Sequence, residues 1–175
     1  MSILKRGSSA SCNRVVYQTQ TLRHRGLGAE ALYDRYERVP GASQKALSEA
    51  RVVLVGAGGL GGEVGAGLAR KGIGQLTMYD HDAVDFSNLP RQQFTLHDVG
   101  QNKAMALAAN LRLQATGHTF LRGVACSFQA AVESGIDEPA DVLIVGVDNN
   151  PTRVAAAQYS LARHIPAVFL AVDPT

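Results

Sequence analysis

Gly56-Ala57-Gly58-Gly59-Leu60-Gly61 follows a β-branched apolar run and precedes a helix-like pattern, so the loop matches G-x-G-x-x-G in the setting that gives the motif meaning. There Gly56 serves a tight turn, Gly58 lets backbone approach phosphate oxygens, and Gly61 lets the helix pack close to the strand. Together with Gly59 these are the candidate nucleotide-binding glycines. Free amides at a helix N-terminus carry partial positive charge and favour an anion. Asp80 stands about 20 residues on, at the end of the next apolar run, where an acid usually accepts ribose hydroxyls. The bland alternative is a merely tight strand–helix turn. A P-loop is excluded, because no Gly-Lys-Ser/Thr follows.

A second set of residues exceeds what a dinucleotide requires. Asn88, Arg91, Gln92 and Lys103 follow the acid, and Asp148 ends a later apolar run. Two cations beside a polyphosphate suit ATP. A unit charge pair at ~4 Å is worth about 4 kcal/mol at an effective dielectric of 20. Arg91 can grip phosphate oxygens bidentately, and Lys103 acts as a point charge. Asp148 offers the hard oxygen that Mg²⁺ takes while keeping most of its waters. Singly, each of these residues reads as a solvated charge or a surface ion pair.

The elements that must position them alternate. Strands are expected over 51–55, 75–79, 119–125, 141–147 and 167–172. Helices are expected over 60–71 and 101–116, with a third helix capped by Asn149-Asn150-Pro151 and ended by Pro166. Residues 30–50 read as one or two short helices broken at Pro40-Gly41, and Val15–Tyr17 as a possible short strand. This pattern predicts a doubly wound α/β fold, a mostly parallel Rossmann-like sheet with helices on both faces. Its ligand crevice should open at the strand C-termini, with Asp80 and Asp148 on the same side.

Residues 51–153 resemble the ThiF/MoeB superfamily, the adenylating domain of ubiquitin-activating-type enzymes. The resemblance rests on RVVLVGAGGLGG at 51–62, LTMYDHDAVDFSNLPRQ at 76–92, VGQNKA at 99–104 and VDNNPTR at 147–153, with RYER at 35–38. It implies ATP as substrate, with Asp80 on the ribose and Asn88, Arg91 and Lys103 on the phosphates. It implies Mg²⁺ at Asp148, the residue most needed for turnover. Arg38 resembles an arginine that such dimers insert into the partner's site. Gln92, Asn149 and Arg153 match supporting positions, and Asp82 matches an acid that orders the loop. The implied reaction is adenylation of the C-terminal carboxylate of a ubiquitin-like or sulfur-carrier protein, giving acyl-AMP and pyrophosphate. A homodimer is the expected assembly. The alternatives are a non-catalytic ATP-binding module and, more remotely, an NAD-dependent oxidoreductase.

Composition excludes other classes. At 175 residues, with 46% hydrophobic and 18% charged residues, the chain fits one globular domain, and its mean hydropathy is −0.02. No apolar run approaches membrane-span length, and 1–14 lacks a signal-peptide core, so a cytoplasmic protein is expected. Residues 1–29 hold five bases and no acid, so they read as a basic extension before a domain over 30–175. No motif for nucleic acid accompanies that charge. Cys12 and Cys126 form no metal pair and match no thioester position, and both read as inert reduced thiols. Further strands and the zinc-binding cysteine pairs of many relatives would lie past Thr175, so the chain is expected to be a fragment truncated at its C-terminal end.

Overall fold

A computed structural model describes residues 12–171. Lys5 and Arg6, two of the five bases of the basic extension, and Val172, the last residue of the expected fifth strand, lie outside the described residues. Six strands form one sheet: β1 (Asn13–Gln18), β2 (Arg51–Val55), β3 (Gln75–Tyr79), β4 (Phe120–Ala125), β5 (Val142–Val145) and β6 (Ala167–Phe169). Their order is β1-β4-β3-β2-β5-β6, with β1 antiparallel to β4 and every other pair parallel. The fold is the expected doubly wound α/β sheet.

The central strands are buried on both faces, which is why their sequences run apolar without alternation. Val52, Leu54, Leu76, Met78 and Leu121 face α3 (Gly59–Arg70) and α4 (Lys103–Leu111). Val53, Val55, Tyr79, Val124, Leu143 and Val145 face α5 (Phe128–Glu133) and α6 (Asn150–Arg163). The short helices α1 (Ala29–Glu37) and α2 (Gln44–Glu49) sit where the parallel strands begin. Buried Tyr33 of α1 meets Thr116 Oγ1 at 2.8 Å, and the Gln75 amide at the start of β3 donates to Ala50 O just after α2.

Several expected boundaries shift for identifiable reasons. The helix expected over 101–116 is α4 alone. Asn102 caps its start, accepting from the Met105 amide at 3.1 Å. Its end comes at Leu111, after which Gln114 and Ala115 donate back to Leu111 O and the Thr116 amide donates to Ala69 O. The strand expected over 141–147 narrows to Val142–Val145, because after Gly146 donates to Val55 O the backbone leaves the ladder. The strand expected to start at 167 has only three residues. Pro166 does not end α6: the helix stops at Arg163, with His164 left-handed at φ +54°. Helix α5 was not anticipated. Inside α3, a Cβ on Gly65 would lie against Leu54, Leu76 and Leu111, while among the described residues nothing comes within 4 Å of the same position on Gly67.

The strand anticipated at Val15–Tyr17 is β1. Val15 and Tyr17 pack on the α3–α4 side, so this part of the basic segment is a sheet edge.

Candidate functional site

Strand order reverses between β2 and β5. β3 and β4 lie to one side of β2, while β5 and β6 lie to the other, and a crevice opens beyond the strand C-termini at such a point. The cleft there measures about 890 Å³. It is lined by Gly56, Gly58, Gly59, Asp80, Asp82, Asn88, Arg91, Gln92, Lys103, Asp148 and Asn149. The structure therefore brings together the expected site residues, with Gly61 and Arg38 as the exceptions.

Gly61 belongs to the floor rather than the lining. A Cβ there would overlap the Gly56 carbonyl oxygen, so the glycine is what lets α3 start against the end of β2. Gly56 itself has φ +96°, and a Cβ on it would come within 2.7 Å of Val147 Cγ1. Gly58 is the N-cap of α3, with no side-chain cap on the first-turn amides and no atom within 4 Å of its Cβ position. The helix end thus presents bare donors to the cleft.

Asp80 is 9% exposed at the end of β3. Its Oδ2 accepts from the Ala57 amide at 2.7 Å and its Oδ1 from the Asp82 amide at 2.9 Å. Burial pushes its pKa above the ordinary carboxylate value, against the pull of those two amides and of Lys103. Each oxygen keeps a lone pair for a hydroxyl donor. Asp82 accepts from Lys103 Nζ at 3.0 Å, and Asn102 Nδ2 donates to Asp80 O at 2.8 Å and Asp82 O at 3.1 Å. Asp82 therefore fixes the ammonium of Lys103, whose side chain is 13% exposed.

Asn88 is buried and partly committed. It completes a capping box with Asp85, accepting from the Asp85 amide at 3.0 Å, which leaves its Nδ2 as the available donor. Arg91 is exposed at the cleft. Gln92 carries a buried Oε1 with no hydrogen-bond partner.

Across the cleft, Asn149 caps α6, accepting from the Thr152 amide at 2.9 Å. Arg153 Nη1 donates to Val147 O at 3.0 Å and Leu170 O at 2.8 Å, and its guanidinium lies over the Phe169 ring. It ties the ends of β5 and β6. Asp148 is exposed, with no hydrogen-bond or ion-pair partner among the described residues.

Arg38 follows the last residue of α1, 73% exposed and ion-paired with Asp34 at 2.6 Å. It does not line the cleft of its own chain. Sequence reasoning gave no role to Glu63, His81, Ser127 or Phe128, which also line the cleft. Ser127 caps α5, and Phe128 is edge-on to Tyr79 and Tyr159 at 5.5 and 5.1 Å. The signal that could have found them is a Ser cap before the short apolar run FQAAV.

A free carboxylate, a set of bare amides, an arginine and a held lysine around one cleft can neutralise a polyphosphate while a buried acid orders a sugar. Among the described residues no helix is long and apolar enough to cross a membrane.

Comparison with known proteins agrees with this arrangement. The sulfur carrier protein adenylyltransferase of Thermus thermophilus is 36% identical over 148 residues, covering 79% of this chain and 54% of that protein. The sulfur carrier protein ThiS adenylyltransferase of Bacillus subtilis is 32% identical over 130 residues, covering 73% and 39%. The chain thus spans about half, or less, of the length of these relatives. Among solved structures, E. coli MccB with ATP superposes with a TM-score of 0.61 at 28% identity, over 72% of this chain and 38% of that one. The sequence profile of the ThiF family matches residues 33–173. The chain belongs to the ThiF family.

Proposed function

We propose that this protein adenylates the C-terminal carboxylate of a ubiquitin-like or sulfur-carrier protein at the expense of ATP, releasing pyrophosphate. The observation that carries the reading is the cleft itself. It unites the glycine loop, the buried Asp80, two cations and the exposed Asp148 carboxylate at the reversal of strand order. The relatives named as adenylyltransferases and the neighbour solved with ATP support it.

The chemistry suits these residues. A terminal carboxylate, with a pKa of about 3.3–3.7, is ionised at neutral pH and needs no general base. One of its oxygens attacks the α-phosphorus, and the bond to the β-phosphate bridge breaks with its electrons on pyrophosphate. What remains for the protein is alignment and neutralisation of the leaving charge. Asp80 holds the ribose through lone pairs left by its two amide donors. The α3 amides, Arg91 and Lys103 receive the phosphates, while Asp82 keeps Lys103 in place. Asn88 contributes its Nδ2. Gln92 carries an acceptor that lacks a donor, a state a bound hydroxyl or water would relieve.

The site also fits a divalent cation. Asp148, an exposed hard oxygen donor beside the phosphate groups, would hold Mg²⁺, which supplies charge neutralisation on the polyphosphate. Arg38, at the other end of the sheet from its own cleft, fits a role across a homodimer interface. A soluble location in the cytoplasm belongs to the same reading.

Calorimetry with ATP and Mg²⁺, beside NAD and beside Asp80→Ala, tests the nucleotide assignment. ATP should bind, NAD should not, and the variant should lose at least ~100-fold in affinity, the order expected when a charged acceptor of buried hydrogen bonds is removed. Equal binding of NAD and ATP would overturn the reading. Pyrophosphate exchange that depends on an acceptor protein distinguishes the enzyme from a module that only binds ATP.

A further inference from the structure

Away from the glycine loop, β1 and β4 pair antiparallel with Asn13 opposite Ala125. One residue beyond that pair, the next residues on the two strands' ends are Cys12 and Cys126. Both pack into the apolar layer beneath α5 and α6, and the Cys12 sulfur lies near enough to Cys126 to help raise the pKa of its thiol. Side chains one step along from a facing pair share the opposite face of the sheet, so the two sulfurs point the same way. Asn13 and Ala125, the last facing pair, hold the two backbones about 4.5–5.5 Å apart between Cα atoms. The cysteines flank that pair where the Cys126 amide turns out of the ladder to donate to Val124 O, a starting separation comparable to the about 4.4–6.8 Å that a disulfide spans. The chain has two cysteines in all, and both are free thiols.

We infer that Cys12 and Cys126 form a thiol–disulfide modification site, at which a low-molecular-weight disulfide such as oxidised glutathione converts the pair to an intramolecular bond joining β1 to the end of β4. The two thiols differ in a way that orders the steps. Cys12 is half-buried and Cys126 buried. Burial, reinforced by the Cys12 sulfur, pushes the Cys126 thiol up to about 12, so it holds its proton at neutral pH. Cys12 therefore meets the oxidant first.

The Cys12 thiolate attacks one sulfur of the disulfide RSSR, forming a mixed disulfide and expelling RS⁻. The Cys126 sulfur then attacks Cys12 Sγ, closing the protein disulfide and expelling a second RS⁻. The two cysteine protons end on the two leaving thiolates. Two electrons pass from the cysteine sulfurs to RSSR, which leaves as two RSH. The bond has a local reach as well. Ser127, the cap of α5, and Phe128 immediately follow Cys126, and both line the cleft.

The test uses the full chain incubated with oxidised glutathione, alkylated with iodoacetamide and digested with trypsin without reductant. Mass spectrometry should find the peptide bearing Cys12 linked to the peptide bearing Cys126, with two hydrogens lost. The melting temperature should rise by roughly 5–15 °C and return on adding dithiothreitol. The linked peptide is the deciding readout and needs no variant. Recovery of both cysteines alkylated, of separate glutathione adducts, or only of links between chains would overturn the proposal. Cys12→Ser should abolish the oxidant-dependent rise in melting temperature; a rise that persists in that variant counts equally against the site.

Discussion

The two walls of the cleft are built on opposite principles. On the β3 side four groups are committed, Asp80 to two amides, Asp82 to Lys103, Asn102 to two carbonyls and Asn88 to Asp85, while Arg91 and Gln92 Oε1 stay open among the described residues. On the β5 side the capping and anchoring groups, Asn149 and Arg153, are spent on backbone, and Asp148 has no partner among the described residues. The interlocked wall suits a part of a ligand whose shape is constant, such as a nucleoside. The wall with an open valence suits a part whose charge moves during reaction. Preorganisation is invested on one side and reserve capacity on the other.

This contrast is sharpest at Asp148. On the proposed reading, Asp148→Ala should lower pyrophosphate exchange by ~10²–10³-fold, the range seen when one group stabilising a developing charge is removed. Thermal stability should stay within about 0.5 kcal/mol, because the side chain bonds nothing among the described residues. ATP affinity should fall far less than exchange. Equal losses in binding and exchange would mean that the two walls do not divide the work as described.

The interlocked wall should respond in the opposite sense. Asn102→Ala removes the α4 cap and both carbonyl contacts, and should cost about 1–2 kcal/mol in urea denaturation. ATP affinity should weaken with it, since Asp82 and Lys103 lose their support. A variant as stable as the parent would show that the wall is not held from this point.

The smallest effect lies behind that wall, in the loop before α4. Burial of Asp98 would raise its pKa, but hydrogen bonds from Asn110 and from the amide and hydroxyl of Thr95 outweigh it, and the net shift is downward. A folded pKa below the unfolded value makes the contribution to stability present above about 3.9 and lost as pH falls through the lowered value. Denaturation midpoints measured from pH 5 down to pH 2 should therefore fall less steeply in Asp98→Asn. Parallel acid limbs for parent and variant would remove Asp98 from the account.

Much of this was readable in advance, and the reasons are local. RVVLV and the run ending in Val145 are apolar throughout because both faces of the central strands are covered. The glycine loop was readable because its conformation and close contacts restrict the residue type at Gly56 and Gly61. What sequence left obscure depends on distant partners. Helix α5 spans six residues, too short for a periodic signal. The commitment of Asp82 to Lys103 joins two separate segments, and nothing in either segment alone specifies it. Arg153 matched a supporting position, yet its backbone targets at Val147 and Leu170 depend on where β6 runs. The nearness of Cys12 to Cys126 follows only from the β1–β4 register.

That register has a kinetic consequence. The parallel strands are linked through intervening helices, whereas β1 joins β4 across about 100 residues of chain. Closing so long a loop has an entropic penalty before any contact rewards it, and such non-local pairing slows folding. β1 is therefore expected to dock late, after the β2–β3–β4 platform exists. As an edge strand, β1 should also open ahead of the central strands, so its amides are expected to exchange with solvent sooner than theirs.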